Sequence, residues 1–285
     1  MVCIKSTRYL YYPGCTIKRD ALEYEESSLA LLKRMGVQVK ELDKWYCCGS
    51  LFSLATDDLM SHIGGVRTLI EAQKLIEKSN FDELLTLCPM CYNVLKRINL
   101  TLKGDPSKLE TLSAYMNEED RYRVSVKVVH IVEVLAKNVD KLKGLVVNKL
   151  DGFKVAVYYG CMVLRPKEVA IDNPENPQVV ESLLNALGVT TVNYPFKTEC
   201  CGSYHVLLNK DIVSDKVGMI ISSILRSGAN VIVMVCPLCL YNFKQVIEGD
   251  LRMRDKVSVV YLSELLAHLV GVEGKWGKLF KFKVH

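Results

Sequence analysis

Apolar residues recur along this chain in two rhythms. Short runs with almost every position apolar predict strands buried on both faces, and longer stretches at a 3.6-residue period predict helices between them. The run from Tyr9 ends in Gly14-Cys15, and a matching run from Val155 ends in Gly160-Cys161. Each is followed by a helical pattern, near Glu23 to Met35 and Gln178 to Leu187, stopped by Gly36 and Gly188. Short strands then fall at Val37 to Leu42 and Val189 to Tyr194. Longer helical patterns cover about Asp57 to Lys78 and Asp211 to Arg226, and strands Glu83 to Leu87 and Asn230 to Val235 precede another helix. A fourth strand feeding a last helix starts at Val128 and again at Val259.

The order of elements therefore occurs twice. Strands alternating with helices predict an α/β fold: two tandem pseudo-symmetric doubly wound units, each a small, mainly parallel sheet flanked by helices. The expected domains are 1–145 and 146–285, with the boundary in the charged, glycine-interrupted stretch from Lys141 to Asp151. The polar segment from Gly104 to Arg123 has no counterpart in the second half and reads as a loop or surface helix.

Composition narrows the class. The 285 residues suffice for two ordinary domains, about half of them apolar and about a quarter charged, with a net charge of +5. No eighteen-residue apolar run predicts a transmembrane segment, and the amino-terminal residues lack a secretory pattern. Cytoplasmic localisation is the expectation. The lysines and aromatics from Lys275 onward read as an arm packed on its own domain or on a partner, and no nucleic acid is expected to bind.

Ten of the eleven cysteines complete the repeat: Cys15, Cys47-Cys48-Gly49 and Cys88-Pro89-Met90-Cys91, then Cys161, Cys200-Cys201-Gly202 and Cys236-Pro237-Leu238-Cys239. Only Cys3 stands outside. Each thiol follows the carboxyl end of a strand, where parallel sheets place their ligands. Pro89 and Pro237 suit the first turn of the next helices, whose free N–H groups would face the thiolates. Four chemistries compete. Structural zinc leaves one thiol per half over. A thioredoxin-type Cys-Pro-x-Cys ignores three, and disulfides suit neither a reducing compartment nor adjacent cysteines. Iron–sulfur clusters account for the whole set.

The duplicated pattern, with Tyr11-Tyr12-Pro13-Gly14-Cys15 and Tyr158-Tyr159-Gly160-Cys161 opening the halves, resembles the B-subunit family of heterodisulfide reductase from Tyr9 to about Val270. The resemblance implies two non-cubane [4Fe–4S] clusters facing a disulfide substrate. Cys15, Cys47, Cys48, Cys88 and Cys91 would bind one, and Cys161, Cys200, Cys201, Cys236 and Cys239 the other. It also implies a small ferredoxin-like iron–sulfur subunit and a flavoprotein as partners. The substrate would be a thiol-coenzyme heterodisulfide or a protein-bound sulfur species. One departure is the spacing: 39 residues separate Cys48 from Cys88, against 34 between Cys201 and Cys236.

Two functions fit the scaffold: a disulfide-type oxidoreductase within a multisubunit complex, or a non-catalytic electron relay and docking subunit of a respiratory or lactate-oxidising complex. No glycine-rich nucleotide motif is present, so electrons are expected from a partner. His205, just after Cys200-Cys201-Gly202, is the candidate proton donor to a departing thiolate, with Phe52 at the matching first-half position. Lys18, Arg19, Arg165 and Lys167 follow the first cysteines and read either as steering an anionic substrate or as a solvated loop. His62, His130 and His268 read as packing or surface residues.

Overall fold

The computed structural model describes residues 8–50, 60–116 and 120–278. Cys3, Phe52 and the lysines and phenylalanines beyond Lys278 lie outside the described residues. In the first half the order is β1 (Arg8–Tyr12), α1 (Cys15–Asp20), α2 (Leu22–Arg34), β2 (Gln38–Glu41), α3 (Ile63–Lys78) and β3 (Glu83–Thr86). Then come α4 (Pro89–Gly104), α5 (Pro106–Tyr115), β4 (Val128–His130), α6 (Ile131–Lys137) and α7 (Val139–Lys143). The second half begins with β5 (Val155–Tyr158), α8 (Val179–Ala186), β6 (Thr191–Val192) and α9 (Lys210–Arg226). It closes with β7 (Val231–Met234), α10 (Pro237–Gly249), α11 (Leu251–Arg254), β8 (Ser258–Tyr261) and α12 (Leu262–Leu269).

Each half is a four-stranded, all-parallel sheet, in the orders β2-β1-β3-β4 and β6-β5-β7-β8. The expected α/β architecture of two tandem units is what the chain adopts. Strand interiors such as Tyr9 to Tyr12 and Val231 to Met234 are buried throughout, as the unbroken apolar runs require of strands covered on both faces. Register aligns Tyr12 with Thr86 and Thr86 with His130. In the second half Tyr158 aligns with Met234 and Met234 with Tyr261. Three strands of each sheet thus end level, with the edge strands β2 and β6 stopping one and two residues short, and the loops that leave them emerge on the same side.

The elements depart from the sequence pattern in two places, and the polar segment after Gly104 is the surface helix that pattern allowed. β6 is only two residues long. The apolar run continues to Tyr194, whose hydroxyl donates instead to Val157 O at 3.0 Å, and Pro195 has no N–H for a ladder. The helix expected from Asp57 begins as a 3-10 turn at Met60–His62 and becomes α-helical at Ile63, residues 57–59 lying outside the described ones. The polar segment after Gly104 holds α5, started by Pro106 and capped by Asp105, which accepts from the Ser107 amide at 3.1 Å.

The halves pack crosswise. α2 of the first lies on α12 of the second, and α6 of the first meets α8 of the second. At the first contact the rings of Tyr24 and Tyr261 stack, 4.3 Å between centroids. Tyr24 also donates to Val235 O at 3.2 Å, and the Ser27 and Ser263 hydroxyls meet at 2.6 Å. Nearby, Tyr92 donates to Val169 O at 2.8 Å, and the Asn93 side-chain amide donates to Met162 O and Arg165 O, each at 2.7 Å. Every buried polar group so paired avoids a desolvation cost of about 1–3 kcal/mol. No helix of the described residues is long and apolar enough to cross a membrane.

Candidate functional site

The level strand ends put the cysteines together. Cys15 opens α1 directly after β1, and Cys88 caps α4 directly after β3. Cys161 follows β5, and Cys236 caps α10 after β7. Pro89 and Pro237 occupy the first turns of α4 and α10, where no N–H is missed. The amides of Met90 and Cys91 point back at the Cys88 sulfur. Those donors are the free N–H groups of a helix start, and they favour a thiolate there.

The two halves repeat the same sulfur arrangement. Cys48 Sγ and Cys91 Sγ are 3.6 Å apart, matching Cys201 and Cys239 at 3.3 Å. Cys161 Sγ and Cys200 Sγ are 3.7 Å apart, and Cys47 lies within hydrogen-bonding reach of Cys15 in the same way. Cys91 reaches Cys88, and Cys239 reaches Cys236. All five thiols of each half are therefore gathered at one sheet edge, and none of the ten is in a disulfide. Cys15 and Cys47 are exposed, Cys161 and Cys200 partly so, and the other six are buried. Each group thus has a sealed inner side and an open rim. Among the described residues, no three His, Cys, Asp or Glu side chains converge as ligands of one ion; the thiols approach in pairs.

Glycines make the approach possible. Gly14 adopts φ +74°, and a Cβ there would stand 2.8 Å from Cys91 Sγ. Gly160, at φ +67°, would bring one to 3.3 Å from Cys239 Sγ. Only glycine combines that backbone with that clearance.

Within each thiol pair the hydrogen bond shifts the two sulfurs in opposite directions. Bonding with Cys91 lowers Cys48 to about 7, and the bond from Cys161 lowers Cys200 to about 6. Their partners move the other way: Cys91 is pushed well up by its bonds with Cys48 and Cys88, and Cys161 is raised by its bond to Cys200 and by burial. Cys88 and Cys201 are lowered by the bonds from Cys91 and Cys239. Thiolates favoured in this way are the form that binds soft metals.

Tyrosines frame both groups. The buried Tyr12 donates to Tyr46 O at 2.9 Å, and Tyr158 donates to Glu199 O at 2.6 Å. Each acceptor carbonyl precedes an adjacent cysteine pair, so one phenol fixes the loop in either half. Burial, and then the neighbouring thiolate charge, raises the pKa of both phenols and keeps them protonated. The sequence had displayed these tyrosines beside the cysteines, but nothing in the pattern disclosed their acceptors.

Other candidate residues separate. His205 leans on the Tyr204 ring, 4.4 Å between centroids, and it is Tyr204 whose hydroxyl interacts with Cys200. Lys18 is engaged by Glu25 at 2.8 Å and Glu41 at 2.7 Å. Arg165 donates to Thr198 O at 3.0 Å. Arg19 and Lys167 are exposed. His62 is buried, with Nδ1 3.1 Å from Cys48 O, closer to the first group than its sequence position suggested. His130 is also buried, bonded to Leu87 O at 2.9 Å. A cleft of about 360 Å³ opens between the halves, bordered by Asp20 and Glu23 on one side and by Pro237, Tyr261 and Glu264 on the other.

Comparison with known proteins gives the site its context. A family model for the CCG cysteine-rich domain matches residues 9–96 and 155–244. The chain is 29% identical to the 8-methylmenaquinol:fumarate reductase membrane anchor subunit of Wolinella succinogenes, over 94% of this chain and 93% of that one. It is 26% identical to the B-subunit of the ferredoxin/F(420)H(2)-dependent CoB-CoM heterodisulfide reductase of Methanosarcina acetivorans, covering 91% and 88%. With a heterodisulfide reductase B-subunit-like protein of Archaeoglobus profundus the identity is 28%, covering 93% and 91%. Among solved structures, a hypothetical protein from Helicobacter pylori matches with a TM-score of 0.71 at 10% identity. That match covers 96% of this chain and 50% of that one, and it concerns the fold alone. The family match spans most of the chain and contains all ten clustered cysteines, so the chain belongs to the CCG cysteine-rich domain family as a two-domain member, alongside the B-subunits of heterodisulfide reductase.

Proposed function

We propose that this chain is the iron–sulfur subunit of a heterodisulfide reductase or a heterodisulfide reductase-like complex, reducing or forming a disulfide or sulfur-carrier bond. Each five-cysteine group would hold one non-cubane [4Fe–4S] cluster. The observation that carries the reading is the pairing of thiols 3.3 to 3.7 Å apart at both sheet edges, beside glycines that leave room for an inorganic core. Thiolates are the donors an iron–sulfur core takes, and the resemblance to heterodisulfide reductase B-subunits implies five of them for each non-cubane cluster. When bound, the clusters supply one-electron carriers and iron atoms able to take sulfur.

The chain's own residues do the rest. Cys88, at a helix start, receives N–H support for negative charge, and Cys236 holds the same position at the start of α10. Tyr12 and Tyr158 hold the adjacent cysteine pairs. The open rims at Cys15 and Cys47, and at Cys161 and Cys200, admit a sulfur substrate, and the cleft beside Pro237 offers an approach. His205, stacked beside Tyr204, is the proton donor to a leaving thiolate in this reading. Electrons come from a small ferredoxin-like subunit and a flavoprotein in the cytoplasm, and the two functional domains divide at 145/146.

The test is anaerobic isolation with iron and sulfide analysis, followed by EPR in the presence of candidate disulfides. Cys200→Ala or Cys201→Ala is expected to remove about half the iron and abolish disulfide turnover; retained iron and activity refute the assignment. A second reading, an electron relay and docking subunit, draws on the burial of six of the ten cysteines and on the fumarate reductase relative. Spectra unchanged by every disulfide, with electron transfer between partner subunits intact, select the relay.

A further inference from the structure

The two sulfur groups share a backbone plan but differ in the side chains that touch them. In the second half the Asn242 side-chain amide donates to Cys201 Sγ at 3.5 Å. Asn242 is 2% exposed, so the bond is shielded from water. Tyr204 stands beside Cys200 at the rim. The Gly202 amide donates to the Cys200 sulfur at 3.3 Å, as the Gly49 amide does to Cys47. Lys216 adds positive charge nearby. Counting from the Cys-Pro-x-Cys motif, the first-half position matching Asn242 is Val94; counting from the Cys-Cys-Gly motif, the position matching Tyr204 is Leu51. Neither side chain contains an N–H or O–H group. Val94 is fully buried, and Leu51 lies outside the described residues.

Hydrogen bonds and positive charge at a ligand sulfur stabilise the more negative, reduced state of an iron–sulfur centre more than the oxidised state. Resting on the cofactor reading above, we propose that Asn242, through its hydrogen bond to Cys201, with Tyr204 adding the dipole of its hydroxyl beside Cys200, raises the reduction potential of the second-half site above that of the first. An electron delivered to the chain then comes to rest in the second half. Asn242 and Tyr204 are positioning residues: they act on the site through its sulfurs. Two sites of unequal potential also give the pair a direction, with the first half filling last and emptying first.

The experiment is a redox titration followed by EPR on the full chain loaded anaerobically with iron and sulfide. Signals are assigned to each half with Cys48→Ala and Cys201→Ala. In Asn242→Leu, close in size and without a donor, the second-half ratio of reduced to oxidised centre at a fixed poise should fall about tenfold. For a one-electron couple that is about 59 mV. The first-half signal should stay in place. Tyr204→Phe removes only a hydroxyl from a residue 56% exposed, so folding is spared, and it should move the same signal in the same direction. Unmoved midpoints in both variants with iron retained would overturn the inference and leave cluster binding standing. So would a second-half site titrating below the first in the unaltered chain, or equal shifts in both halves. An unaltered chain that takes up no iron would fail earlier, in the iron assay, and would overturn the cofactor reading together with this one.

Discussion

At the scale of single residues, clearance around sulfur decides what can change. Gly14→Ala puts a methyl group 2.8 Å from Cys91 Sγ on a backbone at φ +74°. Gly188 has a similar φ, +82°, but no atom within 4 Å of the added carbon. Gly188→Ala should therefore cost only the backbone strain, about 1–2 kcal/mol, with iron content intact. Gly14→Ala should cost more and lose the first-half iron. Thermal melts with parallel iron assays separate the two. The sequence made the cysteines legible because ten residues of one rare type recur in one order. It did not disclose which neighbour reaches them: His205 attracted attention as a histidine just after Cys-Cys-Gly, whereas Tyr204, one position earlier, is the residue that interacts with Cys200.

His130 yields a pH prediction. Burial lowers it to about 4, against about 6.5 in an unfolded chain. The folded state keeps it neutral, so the unfolded state binds more protons between these values. Its contribution is fully present above about pH 6.5 and is lost as pH falls toward 4, about 3 kcal/mol in all. Urea melts of metal-free, reduced protein should show this decline, and His130→Gln should flatten it. A profile unchanged by the substitution would reject the assignment.

At the scale of elements, the loops between strand ends are braced by buried or half-buried ion pairs that the sequence did not announce. Lys197 Nζ meets Glu181 at 3.0 Å with both side chains more than 90% buried, and it donates to Pro177 O at 2.6 Å. The other Glu181 oxygen accepts from the Tyr159 hydroxyl. Tyr11, Glu25 and Lys18 form a comparable trio in the first half, with Lys18 35% exposed. Lys197→Met would leave a carboxylate buried without its cation, at about 3–5 kcal/mol. Lys18→Met, in contact with water, should cost about 1 kcal/mol or less. Denaturant midpoints test the difference; equal costs would mean that the second trio is not sealed. In linear sequence Lys197 and Lys18 sit on opposite sides of their cysteines, so no repeat signalled the analogy. Strands and helices were legible because burial on both faces leaves an unbroken apolar run. The short β6 was not, because a side-chain hydrogen bond from Tyr194 replaces the ladder that the apolar run predicts.

At the scale of the whole molecule, the duplication was written in the sequence, and the way the copies grip each other was not. Contact between Tyr24 and Tyr261, or between Asn93 and the loop after Cys161, joins residues far apart in the chain that share no pattern. Tyr24→Ala, which removes a fully buried ring from the stack, should cost about 3–5 kcal/mol. If the halves form one cooperative unit, both should lose stability together in a single urea transition. Two separated transitions would show that the stack matters to one half alone.

The crosswise grip links the halves at the positions that matter. Asn93, two residues beyond Cys91, is tied to the loop leading away from Cys161, and α1, opened by Cys15, packs on α10, opened beyond Cys236. Ordering one set of sulfurs therefore stiffens a wall of the other. Each site should therefore stand alone but hold its iron less firmly without its neighbour: in Cys201→Ala the first-half complement should remain, yet pass to a chelator faster than in the unaltered chain, and an equal release rate would show that the shared wall transmits nothing.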